Sequence, residues 1–415
     1  MSFDVIVAGG GSAGVAAAVA SSRLGAKTLL IERNGLLGGM ASAALVHSIC
    51  GLYQLPKGDG VPVMANEGFA AEFARRLIGS GGASGPVRMG RVEVLLQRPV
   101  AFAQLCDVFV RETPNLEVRL QSEIVAAEAD SLTLAWRGCA EKIEAKAFID
   151  TTGDAVLAAL RGAPCEMETT RLQRPAYIFA LGGMEPGKLG DDVRLRIARQ
   201  ISQAVKESVL PPSALGAHLR ESAQAGEVFV TVDLEGGPNY DPLDAACLSR
   251  LETEGRDVAN RLATHLRRIE GFEKSYIAAW PARAGVRESR RIMGRYRLEM
   301  EDIERGAQFD DTVAFAAWPM ELRETATGPR LRFPTGEEPC GIPLRSLQAR
   351  DDASLFMAGR CISSSHEAQA SVRVIGTCLA TGEAAGLAAA LKVLHGDCDA
   401  AAVMAAREKI AHEHS

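Results

Sequence analysis

The chain has 415 residues, 47% hydrophobic and 24% charged, enough to bury a large core and divide into two domains, which excludes global disorder. Its formal net charge of −6 offers no footprint for a polyanion, so neither nucleic acid nor a membrane surface is expected as partner and a small-molecule substrate is. Nine cysteines with no CxxC pair and no zinc-like spacing read as reduced thiols, so no metal is expected and a cytoplasmic location is.

The first 33 residues carry the clearest signal. FDVIVAGGGSAGVAAAVASSRLGAKTLLIER reads as strand, glycine turn, helix and strand. Val5–Ala8 is a continuous apolar run, suited to a central parallel strand covered on both faces. Gly9, Gly11 and Gly14 form a GxGxxG. The first glycine permits the tight turn, the second lets a pyrophosphate approach the backbone, and the third lets helix and strand pack closely. The helix start, with Ser12 and Ala13, offers unpaired N–H groups and a positive dipole end to phosphates. Glu32, followed by Arg33, closes the second strand where a carboxylate would accept hydrogen bonds from a ribose. A dinucleotide fits this pattern. The next segment, RNGLLGGMASAALVHSICGLY, looks like a loop laid along a long cofactor, which favours FAD over NAD.

After a glycine-rich loop, GSGGASGP, a helix is expected over RPVAFAQLCDVFVRET, with Pro99 near its start. Short alternating runs from NLEVRL to EKIEAKAFID read as a β meander that returns to the parallel sheet and enters the turn TTGDAV. From about Cys165 longer helices and the strands AYIFALGG and EVFVTVDL suggest an inserted substrate domain. The predicted architecture is therefore α/β. A Rossmann-like FAD-binding domain, a parallel sheet plus β meander, spans 1–164 and 336–415, and an α+β substrate domain spans 165–335. A final helix is expected to begin near Ser371.

Three separated motifs, GGGSAG with Glu32 and GGMAS, then AFIDTTGDAVLAALRGAP, then GIPLRSL with LFMAGRCISSSHEAQASVRVIGTCLATGEAAGLAAAL, together resemble the FAD-dependent oxidoreductase family. That family lies within the glutathione-reductase-like flavoprotein superfamily, on the branch that includes fumarate reductase and p-hydroxybenzoate hydroxylase. The resemblance implies FAD as cofactor, with Gly9, Gly11 and Gly14 at the pyrophosphate and Glu32 at the adenosine ribose. It implies Gly38, Gly39, Met40 and Ala41 beside the ribityl chain and flavin, and Val125 at the adenine through backbone atoms. Thr152 and Gly153 match the second nucleotide loop, Gly359 and Arg360 the loop closing over the pyrophosphate. Ser371 and Val372 would begin the helix aimed at the flavin. No second GxGxxG unit is visible, so the electron acceptor is unidentified, and TTGDAV departs from the Asp-Gly motif of aromatic hydroxylases.

For proton transfer the sequence offers His366, between the Gly359–Arg360 loop and the final helix, and His47, in the loop after the glycine pair. Arg287 and Arg290, with Arg283 and Arg291 nearby, are candidates to bind a substrate carboxylate bidentately. The function expected is hydride transfer between a small carboxylate-bearing metabolite and flavin N5. The alternatives are a flavin oxidase or monooxygenase using dioxygen, or a non-catalytic, electron-transfer flavoprotein. A homo-oligomer is left open.

Overall fold

The computed structural model describes residues 2–414 apart from 238, 326, 327 and 337. In chain order the first part runs β1 (Ser2–Ala8), α1 (Ser12–Arg23), β2 (Thr28–Ile31), β3 (Ser48–Ile49), α2 (Phe69–Gly79), β4 (Ala83–Met89), β5 (Val92–Gln97), α3 (Pro99–Glu112), β6 (Leu116–Arg119), β7 (Glu123–Ala127), β8 (Ser131–Trp136), β9 (Cys139–Asp150) and α4 (Val156–Leu160). The middle part runs β10 (Cys165–Glu166), β11 (Ala176–Gly182), α5 (Asp191–Lys206), β12 (His218–Glu221), β13 (Val228–Asp233), α6 (Ala245–Leu266), β14 (Tyr276–Ala279), β15 (Arg291–Ile292), α7 (Met300–Arg305), β16 (Thr312–Ala316), β17 (Met320–Leu322) and β18 (Arg330–Arg332). The chain closes through β19 (Cys340–Pro343), β20 (Leu355–Met357), α8 (His366–Val372), α9 (Ile375–His395) and α10 (Ala400–Glu413).

The main sheet has the order β6-β2-β1-β9-β8-β7, with β20 added beside β9. β9 is long because it serves two partners along one edge: Cys139–Glu144 pairs antiparallel with β8, and Phe148–Asp150 pairs parallel with β20. β1, β2, β9 and β20 run parallel, so their carboxyl ends open at one side of the sheet, where ligands of such folds bind. α1 is alanine-rich and buried almost all round, between the sheet and α9. Gly382 and Gly386 make that contact close: a Cβ there would stand 2.1 Å from the Ala13 carbonyl oxygen and 2.3 Å from that of Ala17. α9 has the length and hydropathy of a membrane span, yet 83% of that stretch is buried inside the protein.

A smaller sheet, β12-β13-β11-β14, carries its own core under α5 and α6, with Tyr177, Phe179, Val230, Val232 and Leu262 among its members. Side chains alternate across a strand, so the opposite face presents Ala176 and Ile178 of β11, Thr231 and Asp233 of β13, and His218 and Arg220 of β12. The register sets them in rows: Ile178 faces Thr231, which faces His218, and Ala176 faces Asp233.

Four elements differ from the sequence reading. Part of the stretch read as a glycine-rich loop is the start of β4, paired with β5, and α2 precedes it unannounced. α10 also went unread; it is tied down by the Arg407–Glu383 ion pair of 2.9 Å. The helix expected to begin near Ser371 is two helices. The chain leaves α8, extends at Val374 (φ −71°, ψ 153°) and restarts as α9.

Candidate functional site

Two adjoining clefts open at the carboxyl ends of the parallel strands. The first, of about 1,020 Å³, is lined by Gly9, Gly11, Ser12, Ala13, Glu32, Arg33, Gly39, Met40, Thr152, Gly153, Gly359 and Arg360, all singled out in the sequence. Each of the three turn glycines has a different geometry. Gly9 sits at φ +100°, and a Cβ there would meet the Thr151 carbonyl at 2.7 Å. At Gly14 a Cβ would fall 1.8 Å from the Gly9 carbonyl oxygen. At Gly11 the nearest atom to a Cβ is the Gly39 Cα at 4.0 Å, so nothing in the protein itself demands glycine there. The open cradle faces the cleft, as close approach of a pyrophosphate requires.

Glu32 is buried: its Oε2 accepts a hydrogen bond from the Gly10 amide (2.7 Å) and its Oε1 accepts from both the backbone amide (2.8 Å) and the side-chain amide (2.5 Å) of Asn34, which leaves a lone pair on Oε2 for a ribose hydroxyl. Arg283 also lines this cleft; burial and the neighbouring Arg33 push its guanidinium down to about 10. Neither Arg33 nor Arg283 has a carboxylate within ion-pair distance among the described residues, so the cleft carries positive charge suited to a diphosphate. Arg360 turns its guanidinium to Asp154 at 2.7 Å, under Gly153.

A family model described as FAD dependent oxidoreductase matches residues 4–410. The chain belongs to the FAD-dependent oxidoreductase family. FAD is therefore the cofactor of this enzyme, and the Gly11 cradle, the free Glu32 Oε2 lone pair and the unpaired arginines fit it. Among curated relatives, the tRNA uridine 5-carboxymethylaminomethyl modification enzyme of a Nitratiruptor species is 33% identical over 165 residues, covering 37% of this chain and 24% of that protein. The same enzyme of Aliarcobacter butzleri is 32% identical over 136 residues, covering 30% and 20%. The oxidoreductase thus spans a quarter or less of the length of these relatives. Among solved structures, a geranylgeranyl bacteriochlorophyll reductase-like protein from Thermoplasma acidophilum is 11% identical with a TM-score of 0.47, covering 99% of this chain and 84% of that one.

These relatives correct one expectation. The acidic net charge argues against nucleic acid as a partner, yet relatives sharing a third of their residues with this oxidoreductase over the matched stretch are tRNA-modifying enzymes. Net charge averages a whole surface and says nothing of one cleft.

The second cleft, of about 920 Å³, lies under the polar face of the smaller sheet and shares Met40, Arg360, Arg373 and Ile375 with the first. His47 and Arg287 of the sequence candidates line it, with His218, Arg220, Glu321, Arg323 and Arg373, none of which the sequence singles out. Asp233, fully buried, holds Arg287 at 2.7 Å and Arg323 at 2.9 Å. Arg323 also holds Glu321 at 2.7 Å. Burial would raise the Glu321 carboxyl, and Arg323 and Arg373 more than reverse this, holding it down to about 2. Burial and the nearby arginines push His47 and His218 down to about 3, so both imidazoles are neutral.

Other candidates lie elsewhere. His366 lines neither cleft. It begins α8 at a separate polar surface, with Nδ1 2.9 Å from both oxygens of Glu288 and Nε2 3.0 Å from Glu324. Burial would lower its pKa, but the Glu288 contact outweighs this and raises it. Both ring nitrogens are committed to carboxylates, so no lone pair is left for a substrate proton. His366→Ala is expected to cost about 1.5–3 kcal/mol of stability, the loss of charge-assisted hydrogen bonds to a Glu288 that keeps Arg291 (2.6 Å) and the Gln173 amide (3.0 Å) as partners, measured by denaturant unfolding, while flavin content per mole is unchanged.

Arg290 is turned away as well, donating to the Asp154 carbonyl at 3.1 Å. Ser371 and Val372 are buried in the last turn of α8, where the Ser371 hydroxyl donates to the Trp318 carbonyl; the helix end at the cleft is that of α9, through Ile375. Gly38, Ala41 and Val125 do not line the first cleft, although Gly38 bridges to Gly11. Val125 is half-exposed at the position the β7–β8 ladder skips, and its neighbours Ser122, Glu123 and Ile124 line the cleft instead.

Proposed function

We propose that this oxidoreductase oxidises or reduces a small carboxylate-bearing metabolite seated in the second cleft, with His47 moving the proton. FAD, bound in the first cleft, supplies the two-electron chemistry. The shared wall carries this reading: because Met40, Arg360, Arg373 and Ile375 line both clefts, a molecule in the second abuts whatever fills the end of the first. The arginines supply the charge that seats a carboxylate.

His47 has the form of a base. Its Nδ1 lies 3.3 Å from the Leu45 carbonyl oxygen, which can only accept, so Nδ1 carries the proton and Nε2 presents a lone pair. Nε2 is buried without a hydrogen-bond partner among the described residues, and the ring is held flat against Phe229 at 4.5 Å. Burial chiefly, and Arg220 second, keep the imidazole neutral before substrate arrives; a carboxylate bound near Arg220 offsets that second contribution and makes His47 a stronger base in the complex.

Anaerobic mixing of the FAD-loaded enzyme with hydroxy acids and amino acids is expected to bleach the flavin with at least one of them. His47→Gln is expected to slow that bleaching by about 10²- to 10⁴-fold while the acid still binds. A panel that leaves the flavin oxidised would overturn the reading, and stoichiometric peroxide in air would favour an oxidase. A second reading comes from the tRNA-modifying relatives: a nucleic-acid substrate, tested by a gel shift with bulk tRNA at two salt concentrations.

A further inference from the structure

The charges around the second cleft do not cancel. Five guanidiniums line it, those of Arg220, Arg287, Arg323, Arg360 and Arg373, against the single carboxylate of Glu321. Three of the five are neutralised within the protein. Arg287 and Arg323 share Asp233, Arg323 also holds Glu321, and Arg360 holds Asp154 at 2.7 Å. Three arginines thus meet three carboxylates.

Arg220 and Arg373 remain. Among the described residues neither has a carboxylate within ion-pair distance. Arg220 donates only to the Ser48 hydroxyl, at 2.7 Å. Arg373 reaches the Gln173 side-chain oxygen at 3.1 Å and the Glu321 carbonyl at 3.3 Å, and its Nε is buried without any partner. The two come from different walls: Arg220 from β12 of the smaller sheet, Arg373 from the link between α8 and α9 beside the first cleft. His47 and His218 add no charge. The cleft therefore holds two cations from different walls, neither with a carboxylate of its own in contact, and burying a cation without a partner is costly unless a ligand supplies the anion.

We propose that the second cleft takes a doubly anionic substrate with a carboxylate at each end, one paired with Arg220 and the other with Arg373. This rests on the reading of that cleft as the substrate site. A phosphate monoester carries the same total charge on one group, and is the rival that the titration below separates from a diacid.

The test is calorimetric titration of the FAD-loaded enzyme with straight-chain dicarboxylates of three to six carbons, with monocarboxylates of the same lengths, and with inorganic phosphate. At least one diacid is expected to bind about tenfold or more tighter than its matched monoacid, the gain from a second charge-assisted pair. Arg220→Gln and Arg373→Gln are each expected to abolish that preference. The comparison of ligands on the unaltered enzyme needs no variant to fold. Equal affinity for mono- and diacids, tighter binding of phosphate, or no binding by any acid overturns the proposal. If a monoacid bleaches the flavin while diacids show no preference, the oxidoreductase reading stands and the dianion falls. Selective diacid binding with no bleaching by any acid does the reverse.

Discussion

Gly11→Val is expected to give a folded, colourless protein, and Gly14→Ala a protein that does not fold soundly. The two glycines are three residues apart in one motif, but the structure asks different things of them. Gly11 has φ −70° and ψ −177°, an extended conformation any residue adopts, and a Cβ there has no neighbour closer than 4.0 Å. A valine costs the folded chain little and occupies the cradle meant for the pyrophosphate. Flavin affinity should fall by roughly 100-fold or more, about 2.7 kcal/mol, with thermal unfolding of the apoprotein unchanged. At Gly14 an added Cβ would overlap the Gly9 carbonyl at 1.8 Å, and both atoms belong to the packed contact of α1 against the turn. Neither can move without parting helix from sheet, so the cost is about 3 kcal/mol or more and falls on stability before cofactor. Flavin absorbance per mole and thermal unfolding of each apoprotein separate the two outcomes. A yellow Gly11→Val protein with normal flavin content would show that the cofactor's phosphates lie elsewhere.

That contrast marks how far the sequence could be read. The strand, turn and helix at Val5–Arg23 were legible because everything they need is local: an apolar run, glycines at set offsets and a helix of small residues. Glu32 was legible for the same reason, its distance from the turn being set by one helix and one strand. The meander was legible too, since alternation of period two survives in β8 and β9. α2 was not read, although its apolar face is regular, because glycine- and proline-bearing loops surround it.

His366 was misread for a physical reason. It stands six residues from Arg360 in sequence, which suggests shared surroundings, but a short helix begins at His366 and turns the ring toward Glu288 and Glu324. The true helix end at the cleft lies further on, at Ile375. From Ser371 to Leu379 the only charge is Arg373, which a helix tolerates, and only Val374 adopts extended backbone, so nothing in the composition requires a break there.

The second cleft was the least legible part. Its charged residues come from β12, β13, β17, the strand-free stretch around Arg287 and the α8–α9 link, and in sequence each looks like an ordinary surface ion pair. One signal was present: EVFVTVDL places Thr231 and Asp233 at alternate positions of a strand that is otherwise apolar, and a strand buried on both faces carries such residues only when something polar lies opposite.

Asp233→Ala should destabilise the enzyme by about 3–5 kcal/mol, because it strips a shared partner from two buried arginines. Arg287 would be left with no carboxylate and Arg323 with Glu321 alone. Burial alone would raise the Asp233 carboxyl, and Arg287 and Arg323 more than reverse that, holding it below the ordinary carboxylate range. A group whose pKa is depressed on folding contributes stability that is complete above its unfolded value, near 3.9, and lost as pH falls through the folded one. The gap between the unaltered enzyme and the variant, followed by denaturant midpoints, should therefore be widest from about pH 5 upward and close below the folded pKa. Asp233→Asn keeps the shape and removes the charge, so it should show the same pH signature at smaller cost. An Asp233→Asn enzyme of normal midpoint at neutral pH would mean that Glu321 alone balances both arginines, and this account of the cluster would fall. If instead Asp233 is needed, as its complete burial between two guanidiniums requires, the same variant frees Arg287 as a third cation beside the second cleft. Discrimination between diacids of different length should then blur even where the protein still folds.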